Sequence, residues 1–120
     1  MLLGTAAQES LFGTYLVQLG VPPGIGGLGI FQMEGLTFND LVARYGVKFP
    51  VIKLFSYNEM EWNLRAAIIM ARVKYYSCPG VIPKDLKDQA AYYKRWYNTP
   101  LGTATVEEYL ANYDKYVLHG

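Results

Sequence analysis

Apolar residues recur at helical spacing along most of the chain. Leu2, Ala6, Phe12 and Leu16 share one arc when residues are placed about 100° apart, which predicts a helix over residues 2–19. Gly20 and the exit Val21-Pro22-Pro23 stop it, because proline removes a backbone donor. Glu9 falls inside the same apolar arc. A glycine-rich string follows, Gly24-Ile25-Gly26-Gly27-Leu28-Gly29. Then comes Ile30-Phe31-Gln32-Met33-Glu34, which reads as a short strand or an extended loop. Phe38, Leu41, Val42 and Tyr45 predict a short helix with Thr37 as its N-cap, Asp40 in its first turn and Gly46 as its end. Asn58 with Glu61 opens a longer one, carried by Met60, Leu64, Ala67, Ile68, Ala71 and Tyr75 as far as Cys78-Pro79-Gly80. That is the expected central core helix. Residues 85–97 read as helical after Pro83, and Thr105 with Glu108 forms a capping box for a last helix ending near Val117. The expected fold is mainly α, a single domain over residues 1–120 with no repeats and at most a small extended segment near residues 28–34.

Composition narrows the function classes. A chain of 120 residues buries about two thirds of its unfolded surface, and 52% hydrophobic with 18% charged residues argues against disorder. A net charge of +1 supplies no broad field for a phosphate backbone, so a nucleic acid partner is disfavoured. One cysteine, Cys78, forms no internal disulfide, and packing alone must hold the fold. No apolar run approaches the roughly 18 residues of a membrane span. The N-terminus shows no secretion signal, so a target outside the cytoplasm requires another delivery route. Tyrosine is abundant, with 11 in all, and Tyr75, Tyr76, Tyr92, Tyr93 and Tyr97 cluster late in the chain. The commoner role for each is at a core edge, ring packed and hydroxyl in water; stacking on a sugar is the other.

Three features bear on chemistry. Gly24, Gly26 and Gly29 match the dinucleotide-binding spacing G-x-G-x-x-G, but two prolines lead in and no βαβ unit follows, so the match is accidental. Glu9, an acid on an apolar arc, resists ionising and suits a proton donor; the alternative is an ordinary ion pair with Arg65 or Arg72. Lys84, Lys87, Lys94 and Arg95 among Tyr92, Tyr93 and Trp96 read as a solvated helix face before a glycan or nucleic acid surface. His119 has no partner at ligand spacing, so no metal site is expected.

Separated segments then supply context for Glu9. Ala7-Gln8-Glu9-Ser10, Gly29-Ile30-Phe31-Gln32-Met33 and Trp96-Tyr97-Asn98-Thr99-Pro100 resemble in order and spacing the motifs of the lytic transglycosylase and goose-type lysozyme superfamily, and between them Asn63-Leu64-Arg65-Ala66 resembles the Asn-containing start of its central helix. The chain is closer still to tailed-phage proteins with a lysozyme-like domain, through residues 29–34 and 97–102, and the resemblance spans roughly residues 4 to 113. Two departures stand out. Thr99-Pro100-Leu101-Gly102 replaces the small Ala-Gly-Pro-Gly turn, and only eight residues precede Glu9, so any upstream helix is expected to be short or absent.

The resemblance implies a lysozyme-like fold and a peptidoglycan-cleaving glycosidase, lytic transglycosylase or lysozyme, acting between N-acetylmuramic acid and N-acetylglucosamine. Glu9 would be the general acid and then the base. Ser10 and Gln32 would hold the substrate or Glu9, and Tyr97 and Asn98 would complete the site, with the Tyr97 phenol on the Glu9 carboxyl. Glu34, two residues past Gln32, would be a supporting group or a second carboxylate. Glycosidases of the two-acid kind separate such groups by about 5 Å for retention and about 6.5–9.5 Å for inversion. Neither metal nor cofactor is implied. The partners implied are peptidoglycan strands, with other phage virion proteins also in view, at a virion or in the host cell envelope. The competing expectation is a non-catalytic virion structural or wall-binding module on the same fold.

Overall fold

A computed structural model describes residues 1–16, 26–98 and 103–119. The fold is mainly helical: α1 (Leu2–Ser10), α2 (Gly35–Tyr45), a 3-10 turn (Pro50–Leu54), α3 (Glu59–Trp62), α4 (Leu64–Tyr76), α5 (Leu86–Tyr92) and α6 (Val106–Tyr113). Helix α5 runs on as π-helical turns over Tyr93–Asn98, and α6 does so over Asp114–Leu118. The one β feature among the described residues is an isolated antiparallel bridge between Leu28 and Met33. Residues 29–32 are therefore a tight turn, not a strand, with Gln32 in the left-handed region at φ 49°. No helix is long and apolar enough to cross a membrane among the described residues.

Helix α1 ends at Ser10, well short of the predicted residue 19; residues 17–19 lie outside the described residues. Leu11 and Phe12 turn left-handed at φ 49° and 54°, Gly13 follows at 88°, and the Phe12 N–H closes on the Ala6 carbonyl at 3.0 Å. Phe12 and Leu16 consequently leave the arc and are exposed. The Ser10 hydroxyl organises this ending. It lies 2.7 Å from the Ile30 carbonyl and 3.1 Å from that of Ala6, and accepts the Gly13 N–H at 2.8 Å.

Helix α2 starts at Gly35, so Thr37 lies inside the first turn and is not a cap; Glu34 occupies the cap position without a side-chain bond. The chain is delivered there by the Leu28–Met33 bridge, three residues earlier than a Thr37 cap would place it. The predicted central helix is two helices, broken at Asn63, and Asn58 makes no capping bond. Asn63 stops one and starts the next. Its backbone is extended, its Oδ1 accepts the Ala66 N–H at 3.1 Å, and its Nδ2 donates to Glu59 at 3.0 Å. Asp85 and Thr105 cap α5 and α6 through bonds from Lys87 N, Asp88 N and Glu108 N.

Two core clusters meet at α1. One gathers Phe31, Met33, Phe38, Leu41, Ile52, Met60 and Met70 from the turn, α2, the 3-10 turn, α3 and α4. The other is built of tyrosines: Tyr75, Tyr92, Tyr93, Tyr97 and Tyr109. Ring centroids lie 5.0 Å apart for Tyr75 and Tyr97, 5.7 Å for Tyr93 and Tyr97, and 5.0 Å for Tyr93 and Tyr109. Tyr75, Tyr93 and Tyr97 are interior, contrary to the core-edge expectation, and their hydroxyls bond protein groups, whereas Tyr92 fits it, with its ring packed and its hydroxyl near the surface on the Pro79 carbonyl. Tyr75 bonds Thr5 at 2.6 Å, and Tyr109 donates to the Met1 carbonyl at 3.4 Å. Tyr76, by contrast, is half exposed. Helix α1 packs chiefly on α6, so closely that a Cβ on Gly4 would stand 2.0 Å from the Tyr109 hydroxyl.

Candidate active site

A polar cleft of about 400 Å³ opens where α1, the 28–33 turn, α4 and the π-helical segment after α5 converge, lined by Glu9, Gln32, Glu34, Lys74, Tyr97, Asn98 and Thr103. Two depressions of about 430 Å³ elsewhere share Arg72 and Tyr76, are lined mainly by apolar side chains, and hold no carboxylate. Of these three, the cleft alone is lined by carboxylates.

Glu9 lies one residue before the end of α1, and its Oε1 accepts the Tyr93 hydroxyl at 2.6 Å. Burial pushes the carboxyl above its usual range; the Tyr93 bond and the Lys74 charge pull the other way, and the Glu34 charge adds to the rise. Burial wins. The result is an acid that retains its proton to higher pH and is held in one orientation. Neither Arg65 nor Arg72 pairs with it, and no ion pair to Glu9 occurs among the described residues.

The phenol on Glu9 is therefore Tyr93, not Tyr97. The Tyr97 hydroxyl donates to the Phe31 carbonyl at 2.9 Å, fastening the 28–33 turn to the helix, while its residue still lines the cleft. Tyr93 and Tyr97 are four apart on one helical face and stack at 22°, so the two phenols point to successive levels of the wall. Both sit on the π-helical turns, a backbone form often found at functional sites. Ser10 does not reach the cleft: it is buried and joins the end of α1 to the turn. Gln32 lines the cleft, but its amide donates to Gly29 O at 2.9 Å and Tyr15 O at 3.1 Å, so its donors serve the loop. Asn98 lines it as well, with its Oδ1 accepting Lys94 Nζ at 2.9 Å. Glu34 is exposed at the rim and follows the turn on extended backbone, at φ −80° and ψ 149°. Residues 99–102 of the third motif lie outside the described residues.

Lys74 is the residue the sequence reading missed. It projects from α4 into the cleft, its Nζ 3.4 Å from the Tyr97 ring centroid and 3.3 Å from the Tyr97 carbonyl. Burial lowers its pKa, opposed by the charges of Glu9, Cys78 and Glu34. The signal was available. Lys74 stands three residues after Ala71 and seven after Ala67, a charge on the buried stripe of α4, which is the criterion that singled out Glu9.

No family model matches the chain, and no curated protein or solved structure is found to be similar to it.

The division of labour between the two tyrosines has a direct test. Tyr93→Phe removes a bond that favours the ionised carboxyl, so the Glu9 titration, followed by carboxyl-carbon NMR, is expected to move to higher pH. Tyr97→Phe is expected to leave that titration in place and to cost roughly 1–3 kcal/mol of stability, because the Phe31 carbonyl loses its buried donor. Equal movement in both variants would contradict the assignment.

Proposed function

We propose that the protein is a lysozyme-like glycosidase that cleaves peptidoglycan strands at the β-1,4 bond between N-acetylmuramic acid and N-acetylglucosamine. The observation that carries this reading is Glu9: a carboxyl whose proton is retained by burial, oriented by Tyr93, at the floor of a polar cleft. Breaking a glycosidic bond needs an acid still protonated near neutral pH to protonate the departing oxygen.

In this mechanism Glu9 gives its proton to the glycosidic oxygen as the bond to the muramic C1 breaks. Its carboxylate then takes a proton from the muramic 6-hydroxyl as that oxygen closes on C1, leaving a 1,6-anhydro end. Where water attacks instead, Glu9 takes the water proton and a reducing end results. Glu34 lies at the rim and acts on Glu9 through its charge, so we favour the one-acid route, transglycosylation. Glu34, Gln32, Tyr97 and Asn98 shape the cleft around the strand; Ser10 supports it from beneath. The proposed setting is a phage virion acting on the host envelope, with other virion proteins as neighbours.

One observation favours the rival reading, a wall-binding or virion structural module: the amides of Gln32 and Asn98 already have protein partners. Digestion of purified peptidoglycan of several wall types by the wild-type protein, with mass spectrometry of the released ends, separates the readings. Anhydro ends are expected; reducing ends indicate a lysozyme, and strand binding without any release supports the rival module.

A further inference from the structure

Among the described residues the cleft holds two acids and one base, and no carboxylate forms an ion pair with the base. Lys74 is the only cation in the lining among the described residues, and none of its ion pairs reaches bonding distance there. An ammonium carries three donors; among the described residues one is engaged, at 3.3 Å to the Tyr97 carbonyl, and the Tyr97 ring takes up part of the charge from one side. The Glu9 carboxyl is held by the Tyr93 hydroxyl and forms no ion pair with Lys74 among the described residues, and Glu34 stands at the exposed rim. A shielded cation left in this way is where a ligand anion gains most, because the protein has already met much of the cost of removing water from it.

We propose that Lys74 receives a carboxylate carried by the glycan, which makes the cleft selective for muramic-acid strands over uncharged chitin-type strands. This rests on the glycosidase reading above for its substrate. The carboxylate has two sources: the lactyl group of muramic acid where the peptide stem has been removed, or the stem itself where the lactyl carboxyl is tied up in an amide. A lysine acting only as a prop beneath Tyr97 would alter the affinity for every strand alike.

The test uses the Glu9→Gln protein, in which a neutral isostere of the protonated acid keeps strands intact. Its binding to three tetrasaccharides is measured by calorimetry at low salt: chitotetraose, a stem-free muramic strand and a stem-bearing one. At least one muramic strand is expected to bind roughly tenfold more tightly than chitotetraose. Adding Lys74→Met should bring that ratio to about one, and Lys74→Arg should retain most of it. Which muramic strand is preferred identifies the carboxylate. No preference in the Glu9→Gln protein, or a preference that survives Lys74→Met, overturns the proposal, as does failure to bind any of the three. If Lys74→Met does not fold, judged by circular dichroism, the comparison passes to the Lys74→Gln and Lys74→Arg proteins, with the same ratios decisive. A Lys74-dependent preference without cleavage by the wild type would remove the glycosidase and leave the carboxylate site standing.

Discussion

Replacing Glu9 with glutamine is expected to lower peptidoglycan cleavage by roughly 10²–10⁴-fold, the contribution of a positioned general acid, while making the fold more stable. Two physical effects separate here. Glutamine keeps an oxygen for the Tyr93 hydroxyl, so the geometry of the cleft wall is preserved, but it has no proton to give. The stability change follows from the direction of the Glu9 shift. Its folded pKa is raised, so its favourable contribution is fully present below the ordinary carboxylate pKa and is lost as pH rises through the folded value. Glutamine never ionises. The melting temperature of the variant should therefore exceed that of the wild type by on the order of 3 °C above the folded pKa, and the gap should close toward acid. Thermal scans from mildly acidic to alkaline pH, run beside the digestion assay, check both halves. Undiminished cleavage would remove Glu9 from the chemistry, and a gap that widens toward acid would contradict its burial.

The largest loss of stability is expected from Gly29→Ala. Gly29 has φ +84°, and a Cβ built there would stand 1.7 Å from the Met60 carbonyl oxygen. That neighbour is backbone at the start of α3, so no rotamer change relieves the overlap; the turn itself has to retreat. The Leu28–Met33 bridge, with bonds of 3.0 and 3.1 Å, and the Gln32 bond to the Gly29 carbonyl would be strained with it. A cost of about 3 kcal/mol, near 10 °C in melting temperature, is expected for a combined clash and left-handed strain. A loss under about 1 kcal/mol would mean that the turn adapts and that its close approach to α3 is not what fixes it.

Helix order is legible in the sequence because α2, α4 and α6 carry apolar residues at helical spacing and Asp85 and Thr105 cap through short-range bonds. The ends that misled are those decided across the chain. Nothing local announces that Leu11 and Phe12 will turn left-handed; the Ser10 hydroxyl, bonded to Ile30 twenty residues on, makes that stop worthwhile. Periodicity alone runs one helix through Asn63, because the apolar pattern continues on both sides of it, whereas the motif resemblance points to Asn63 as a helix start, and its side chain does cap the next helix. In the site, motif order brings Glu9, Gln32, Glu34, Tyr97 and Asn98 to one cleft, but it does not say which phenol meets the acid. That depends on which tyrosine of the α5 extension reaches α1 across the fold, and it is Tyr93, while Tyr97 bonds the turn. Lys74 was hidden for a simpler reason: a lysine on a long helix reads as a solvated surface residue until its neighbours at three and seven positions are examined.

The tyrosine ties on α1 have a consequence for how activity is lost. Glu9 and Tyr93 are 84 residues apart, Thr5 and Tyr75 are 70 apart, and Met1 and Tyr109 are 108 apart, so the helix bearing the acid and its N-cap residue are held at three heights by distant parts of the chain. A partly assembled chain has no cleft to offer. Catalysis and tertiary structure should therefore disappear in one cooperative transition along a urea titration, with coincident midpoints.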